Sequence, residues 1–214
     1  MGKVVDLKKG EINRHVNKAL KAIAEGYVIA IPLEHSYAFA CDAFRQDSVR
    51  AMHVLRGDPL FTAAQVAVGN AKTAEGVVRE LTPEISALMK KFWPGLLSLN
   101  LRPQKGLSWD LGDNHQLDRV SIRVPKSKFA KALLLETGPL AIASGARVGR
   151  PTPKELSDIF VLDSDLAFQF NNGKLRNGPA STVIEADQDG VRVLRVGAIS
   201  LEEIQAITPT AALI

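Results

Sequence analysis

Apolar residues along the chain recur with two periods, and the places where the period changes divide it into elements. Ile12, Val16, Ala19, Leu20 and Ile23 fall at helical spacing and Gly26 stands where a C-cap glycine belongs, so residues 10 to 25 are expected to form an amphipathic helix. Tyr27 to Pro32 is a short, almost wholly apolar run, which predicts a strand covered on both faces. Polar residues follow from Leu33 to Asp42, including Glu34, His35, Ser36 and Tyr37, where a strand of an α/β sheet ends and ligand contacts are common. Asp47 or Ser48 is placed to cap a helix through Val49, Met52 and Leu55, ended by Arg56-Gly57-Asp58-Pro59. Gln65 to Val68 reads as a strand, 72 to 80 as a helix, and Thr82-Pro83-Glu84 as the start of another that stops at Trp93-Pro94-Gly95, with Trp93 a core anchor.

Leu97, Leu99 and Leu101 alternate with Ser98, Asn100 and Arg102, the mark of a strand with one polar face. Residues 102 to 119 show neither period and are expected to be a long loop. Its Asp110, Asp113, Asn114, His115 and Asp118 match neither an EF-hand nor a zinc pattern, so no protein-bound metal is expected. A strand at 120 to 124 puts Arg123 on the face opposite Ile122 and Val124, and a helix follows at 127 to 136. Asp165 to Phe170 reads as a strand and Asn171-Asn172-Gly173 as a turn. Residues 181 to 196 read as a hairpin about Asp187 to Gly190, and Ser200 as the cap of a short last helix.

The stretch from Pro139 to Leu156 gathers several signals at once. Leu140 to Ala143 reads as a buried strand, followed by a small-residue loop carrying Arg147 and Arg150. Thr152, Pro153 and Glu155 then have the spacing of a capped helix N-terminus, a place that suits an anion. The same residues also fit a plain strand-to-helix connection with solvated arginines. Gly145 and Gly149 do not make a Walker A loop, and Ser144 lacks the preceding glycine of a nucleophile elbow.

Length and composition narrow the class. At 214 residues with 46% hydrophobic content, one domain spanning 1–214 is expected, with no internal repeat. A net charge of +4 and a pI near 9.2 are compatible with phosphate-bearing partners without requiring them. The single Cys41 excludes an internal disulfide, and no apolar run reaches membrane-spanning length, so a cytoplasmic protein with no membrane partner is expected.

Six stretches, in order, resemble the YrdC/YciO family, which contains threonylcarbamoyl-adenylate synthases. They are Ile31 to Tyr37 with Asp42, Leu55 to Pro59, Trp93 to Leu99, Val120 to Pro125, Ala143 to Gly149, and Ala180 to Val183 with Leu194 to Gly197. The resemblance runs from about residue 10 to about residue 207. It implies an α/β fold, a single YrdC-like domain with a twisted mixed sheet and flanking helices around a large basic cavity. It further implies a nucleotidyltransferase that joins ATP, bicarbonate and L-threonine for tRNA modification, with Mg as the counterion of ATP. Nucleotide contacts are implied at Arg56, Arg123, Ser144, Ser181, Thr182 and Arg195, and a substrate pocket at Glu34, His35 and Tyr37. No residue is singled out as catalytic.

This chain departs from the family pattern at defined places. Pro-Thr-(Asp/Glu)-Thr-x-Tyr-Gly-Leu becomes Pro32-Leu33-Glu34-His35-Ser36-Tyr37-Ala38-Phe39, without either threonine. The Lys-x-Arg pair aligns with Arg56 and Asp58, which puts a carboxylate where a cation is expected, and Ser-x-Asn becomes Ser144-Gly145-Ala146. Three outcomes remain open: a synthase with an altered pocket, a noncatalytic relative that binds nucleotide, double-stranded RNA or tRNA, and a structural protein whose cavity is unused. The expectation is that Arg56, Arg123, Ser144, Ser181 and Arg195 converge, that ATP binds, and that threonylcarbamoyl-AMP synthesis is weak or absent.

Overall fold

The computed structural model describes residues 3–116, 118–161 and 165–214. Their strands form one sheet of eleven, flanked by helices on both faces. In chain order the elements are β1 (Lys3–Asp6), α1 (Ile12–Ala24), β2 (Ile29–Pro32), β3 (Tyr37–Asp42), α2 (Gln46–Arg56), β4 (Gln65–Ala67), α3 (Ala71–Val77) and α4 (Pro83–Phe92). They continue with β5 (Leu97–Leu101), β6 (Val120–Arg123), α5 (Lys128–Thr137), β7 (Leu140–Ser144), β8 (Phe168–Asn171), β9 (Thr182–Asp187), β10 (Gly190–Arg195), α6 (Leu201–Gln205) and β11 (Ala212–Leu213). The strand order is β1-β8-β2-β3-β7-β4-β6-β5-β9-β10-β11, with parallel and antiparallel pairs mixed.

Strand period 2 sorts the side chains between two cores. Ala30, Phe39, Cys41, Val66, Ala141 and Ile122 face one side, where α2, α3, α4 and α6 supply Met52, Ala74, Leu88 and Ile204. Ile29, Ile31, Ala40, Leu140 and Ile142 face the other, covered by Val16 and Ala19 of α1 and by Phe129 and Leu133 of α5. Alternation also assigns Gln65, Ser98, Asn100, Ser121, Arg123 and Ser144 to this second face. Their polar side chains give the sheet a wet floor where the two helices end. Gln65 Nε2 donates to Ser98 Oγ at 2.9 Å and to Ser121 Oγ at 3.0 Å, whereas the buried Asn100 Oδ1 and Arg123 Nε have no partner among the described residues.

Caps explain most helix starts. Thr82 Oγ1 accepts from Ile85 N–H, Ser127 Oγ from Ala130 N–H, and Ser200 with Glu203 forms a capping box. Four expectations are overturned. The helix foreseen after Thr152 is absent: residues 151–153 have no regular structure, the chain bends at 154–155, and only a 3₁₀ turn forms at Leu156–Asp158, with Glu155 as its cap. The carbonyl of Pro153 instead accepts from the N–H of Tyr37 at 2.8 Å, and the N–H groups of Lys154 and Glu155 are taken by Asp158. No helix N-terminus therefore faces an anion there. Residues 37–42, placed beyond a strand end in the stretch where ligand contacts were expected, form β3, with its first five residues buried, in a hairpin with β2. Arg45, not Asp47 or Ser48, is the N-cap of α2. Strands β1 and β11 at the two sheet edges carry no strong pattern and were not foreseen, and the start of β8 falls at Phe168 rather than Asp165.

Candidate active site

The first cavity, of about 580 Å³, opens on the polar floor between the ends of β3, β4, β6, β7, β9 and β10. Arg56, Arg123, Ser144, Ser181 and Arg195 all line it, although they come from distant parts of the chain. Volumes of this size hold small ligands. Glu34 and His35 line it too.

Each arginine is fixed by protein atoms. Arg123 is 5% exposed, donates to Ser181 Oγ at 2.8 Å and forms an ion pair with Glu34, while its Nε has no partner. The second Glu34 oxygen accepts from Lys126 N–H at 2.6 Å. Arg195 donates twice to the Ser181 carbonyl. Arg56 Nη1 donates to the carbonyls of Ser144 and Ala146, and its Nε donates to Asp58 at 2.8 Å. Asp58 also faces His53 Nδ1 at 2.7 Å, and His53 Nε2 donates to the Leu111 carbonyl at 2.9 Å. The carboxylate expected to oppose a bound phosphate is thus enclosed between two partners, with its side chain only 3% exposed. His53, which also lines the cavity, was passed over in the sequence.

Two residues assigned to the site by resemblance do not line the cavity. Thr182 is fully buried; its hydroxyl donates to the Ile199 carbonyl and accepts from Gly197 and Ile199 N–H, locking the turn after β10. Tyr37 is fully buried as well, its hydroxyl donating to the Gly173 carbonyl at 2.7 Å and accepting from Asn172 N–H. Burial pushes the Tyr37 phenol above its ordinary range, against that N–H bond, and the Glu155 carboxylate adds to the rise. His35 stays in the wall: its Nδ1 donates to the Arg176 carbonyl at 3.2 Å, and its ring lies against Gly178 so closely that a Cβ there would overlap it. Arg147 and Arg150 are exposed and do not line the cavity.

A second chamber, of about 980 Å³, adjoins the first across Leu33, Glu34, His35 and Leu96. Its wall carries Lys91, Lys126, Lys128, Lys174 and Arg176 against the single carboxylate Glu34. In the 102–119 loop Asp110 is a turn-former. Burial opposes its ionisation, but N–H bonds from Gly112 and Asn114 and the Gln46 amide outweigh it and hold the carboxyl below its usual range. Among the described residues, no group of three or more His, Cys, Asp or Glu could hold a metal ion. No helix of the described residues is long and apolar enough to cross a membrane.

An eleven-stranded mixed sheet with helices on both faces and arginines gathered at a polar floor defines an α/β protein with an open polar cavity. The profile of the Sua5/YciO/YrdC family, described as telomere recombination, matches residues 21–197, and the chain belongs to that family. A Mycobacterium tuberculosis protein named "Putative threonylcarbamoyl-AMP synthase" is 32% identical over 196 residues, 91% of this chain and 89% of that protein. The Bacillus subtilis threonylcarbamoyl-AMP synthase is 30% identical over 90% of this chain but 56% of its own length. In fold the chain is similar to Pyrococcus abyssi Sua5 complexed with L-threonine (TM-score 0.88, 24% identity, all of this chain and 62% of that one). It is also similar to Escherichia coli YciO, with a TM-score of 0.82, 21% identity and coverage of 95% and 98%.

Proposed function

We propose that the protein binds ATP in the first cavity and is a member of the threonylcarbamoyl-AMP synthase type whose complete reaction is weak or absent. The observation that carries the reading is the convergence of Arg56, Arg123, Ser144, Ser181 and Arg195 on one cavity of about 580 Å³, in a chain whose relatives include named threonylcarbamoyl-AMP synthases. The full reaction joins the amine of threonine to bicarbonate with loss of water. The resulting carbamate oxygen then attacks the α-phosphorus of ATP, and the bond to the β-phosphate breaks to release pyrophosphate. Such a displacement needs donors held where charge builds up. Arg56, Arg123, Ser144, Ser181 and Arg195 are the groups assigned to the nucleotide, with Mg as its counterion, and Glu34 and His35 to the substrate pocket.

Two features argue for a weak step. Asp58 neutralises the guanidinium of Arg56 and holds His53, so the cation density at the phosphate end is lower than two basic residues would give. Leu33 and His35 offer no hydroxyl to a threonine side chain, and an amino-acid site without its hydrogen-bonding partner loses discrimination as well as affinity. The test is to incubate the purified chain with ATP, bicarbonate and L-threonine, measuring ATP binding, pyrophosphate and the adenylate separately. Binding with little product supports the reading. Turnover like that of the Bacillus subtilis synthase would overturn its second half, and no ATP binding would overturn the whole.

The noncatalytic alternative, binding of double-stranded RNA or tRNA, is favoured by the lysines and arginine that wall the second chamber. Phosphate contacts release counterions, so RNA affinity would fall steeply with salt. Absence of binding at low salt would exclude it.

A further inference from the structure

One nucleotide fits within the first cavity, and the second chamber has a ligand-sized volume of its own. Its charges are unusual. Lys174 pairs with Glu155 at 3.4 Å, and Glu34 is engaged by Arg123 and the Lys126 N–H. Lys91, Lys126, Lys128 and Arg176 have no carboxylate within ion-pair distance among the described residues. Unpaired like charges around one concavity repel one another, and an anion seated among them relieves that repulsion.

The start of α5 adds to the same field. Ser127 takes the Ala130 N–H, the N–H groups of Lys128 and Phe129 have no acceptor among the described residues, and the first turn contains no acid. A helix begins more favourably with acidic residues than with lysines, so the positive end of α5 is left uncompensated on its own element. A separate observation comes from the other wall. His15 is 5% exposed and lines the chamber; its Nε2 donates to the Lys9 carbonyl at 2.8 Å, and its buried Nδ1 has no partner. Phe92 and Ile199 give the chamber an apolar surface beside these polar groups.

We propose that the second chamber is a binding site for a second phosphate-bearing ligand of mononucleotide size. Its phosphate lies between Lys126, Lys128 and the first turn of α5, and its planar body rests on the apolar side near Phe92 and Ile199. The site does not depend on the chemistry assigned to the first cavity.

AMP is the probe. Calorimetric titration of the full chain at low salt is expected to show two AMP bound per chain. Lys126→Glu with Lys128→Glu should weaken one of them by about tenfold or more, since two attractive charges become repulsive. The other event should move less than twofold, and Arg56→Ala should show the reverse pattern. Both lysines are exposed and glutamate is favoured at a helix start, so these changes do not threaten folding. Lys126→Gln with Lys128→Gln should give an intermediate loss. One AMP per chain overturns the proposal, as does a single event abolished by both sets of variants, which would mean one ligand spanning both chambers. Two AMP bound by a chain that makes no adenylate product supports the proposal while the catalytic reading fails.

Discussion

His53 and Asp58 meet because Gly57 turns the end of α2 back on itself. Gly57 adopts the left-handed conformation at φ 66°, its N–H donates to the Val54 carbonyl and the N–H of Asp58 donates to the carbonyl of His53. These are the two bonds of a Schellman motif, in which the residue after the glycine comes to rest against the residue one turn from the helix end. That contact is usually apolar. Here it is a carboxylate against an imidazole at 2.7 Å, and the same Asp58 oxygen holds Arg56, which in turn clamps the Ser144 and Ala146 carbonyls. Asp58 is therefore a structural anchor of the Ser144 loop.

Replacing Asp58 with arginine, the residue type of the family pattern, should destabilise this chain. The side chains of Arg56, Asp58 and His53 are 15%, 3% and 12% exposed, so Asp58→Arg takes the acceptor from Arg56 Nε, removes the partner of His53 Nδ1 and adds a third basic group between them. Removing one partner of a buried pair costs about 3–5 kcal/mol. Adding Ala146→Asn should worsen it, because Ala146 is only 4% exposed. His53→Ser together with Asp58→Arg should recover part of the loss. Urea unfolding at neutral pH measures the series, and an Asp58→Arg protein as stable as the parent would refute the anchoring role.

Gly178→Ala should separate the pocket from the fold. A methyl group there would overlap the His35 ring, whose wall position rests on one hydrogen bond to the Arg176 carbonyl. The ring is displaced, ligand affinity in the first cavity changes by severalfold, and the melting temperature moves little. Gly197→Ala is the contrasting variant: its Cβ would press on the backbone of Ala180 and Ser181, which cannot move aside cheaply, so stability should fall. Equal effects of the two changes on stability would contradict this division.

Acid should expose the ion-pair cluster at the far hairpin. Hydrogen bonds from Arg119 lower the Asp187 carboxyl, burial opposes them, and further bonds from Arg192 and Asp189 N–H help bring it to about 2. A depressed folded value means that the stabilisation is complete above the unfolded carboxyl value of about 3.9 and is lost as pH falls towards the folded value. Asp187→Asn should therefore differ most from the parent above about pH 4, with the difference shrinking below it. Denaturant titrations across that range test this; a constant difference at every pH would show that the carboxylate charge is not the source.

The sequence made most helices and the central strands legible because caps and periods agreed, as at Thr82, Ser127 and Ser200. It misled at Thr152, where a capping spacing was overridden by two prolines and by the backbone bond from Tyr37 to Pro153. Strand β3 was hidden because Tyr-Ala-Phe-Ala-Cys-Asp has no β-branched residue and follows a polar stretch that does reach the cavity. The convergence of five site residues could be anticipated only through the resemblance, since no spacing in the chain links Arg56 to Arg195. His53 carried a readable signal that was missed: a glycine closing a helix predicts that residue 58 returns to residue 53.

The strand order has a bearing on synthesis as well as on chemistry. Strand β9 pairs with β5, and β10 lies outside β9, so the hairpin that brings Ser181 and Arg195 joins a sheet whose neighbouring strand was made about eighty residues earlier. The first cavity has no complete wall until that hairpin has left the ribosome. A ligand of the first cavity can therefore stabilise only a chain that has completed this hairpin, by about 2.7 kcal/mol at a hundred times its dissociation constant. Nascent chains that stop before residue 195 would gain nothing from a ligand of that cavity.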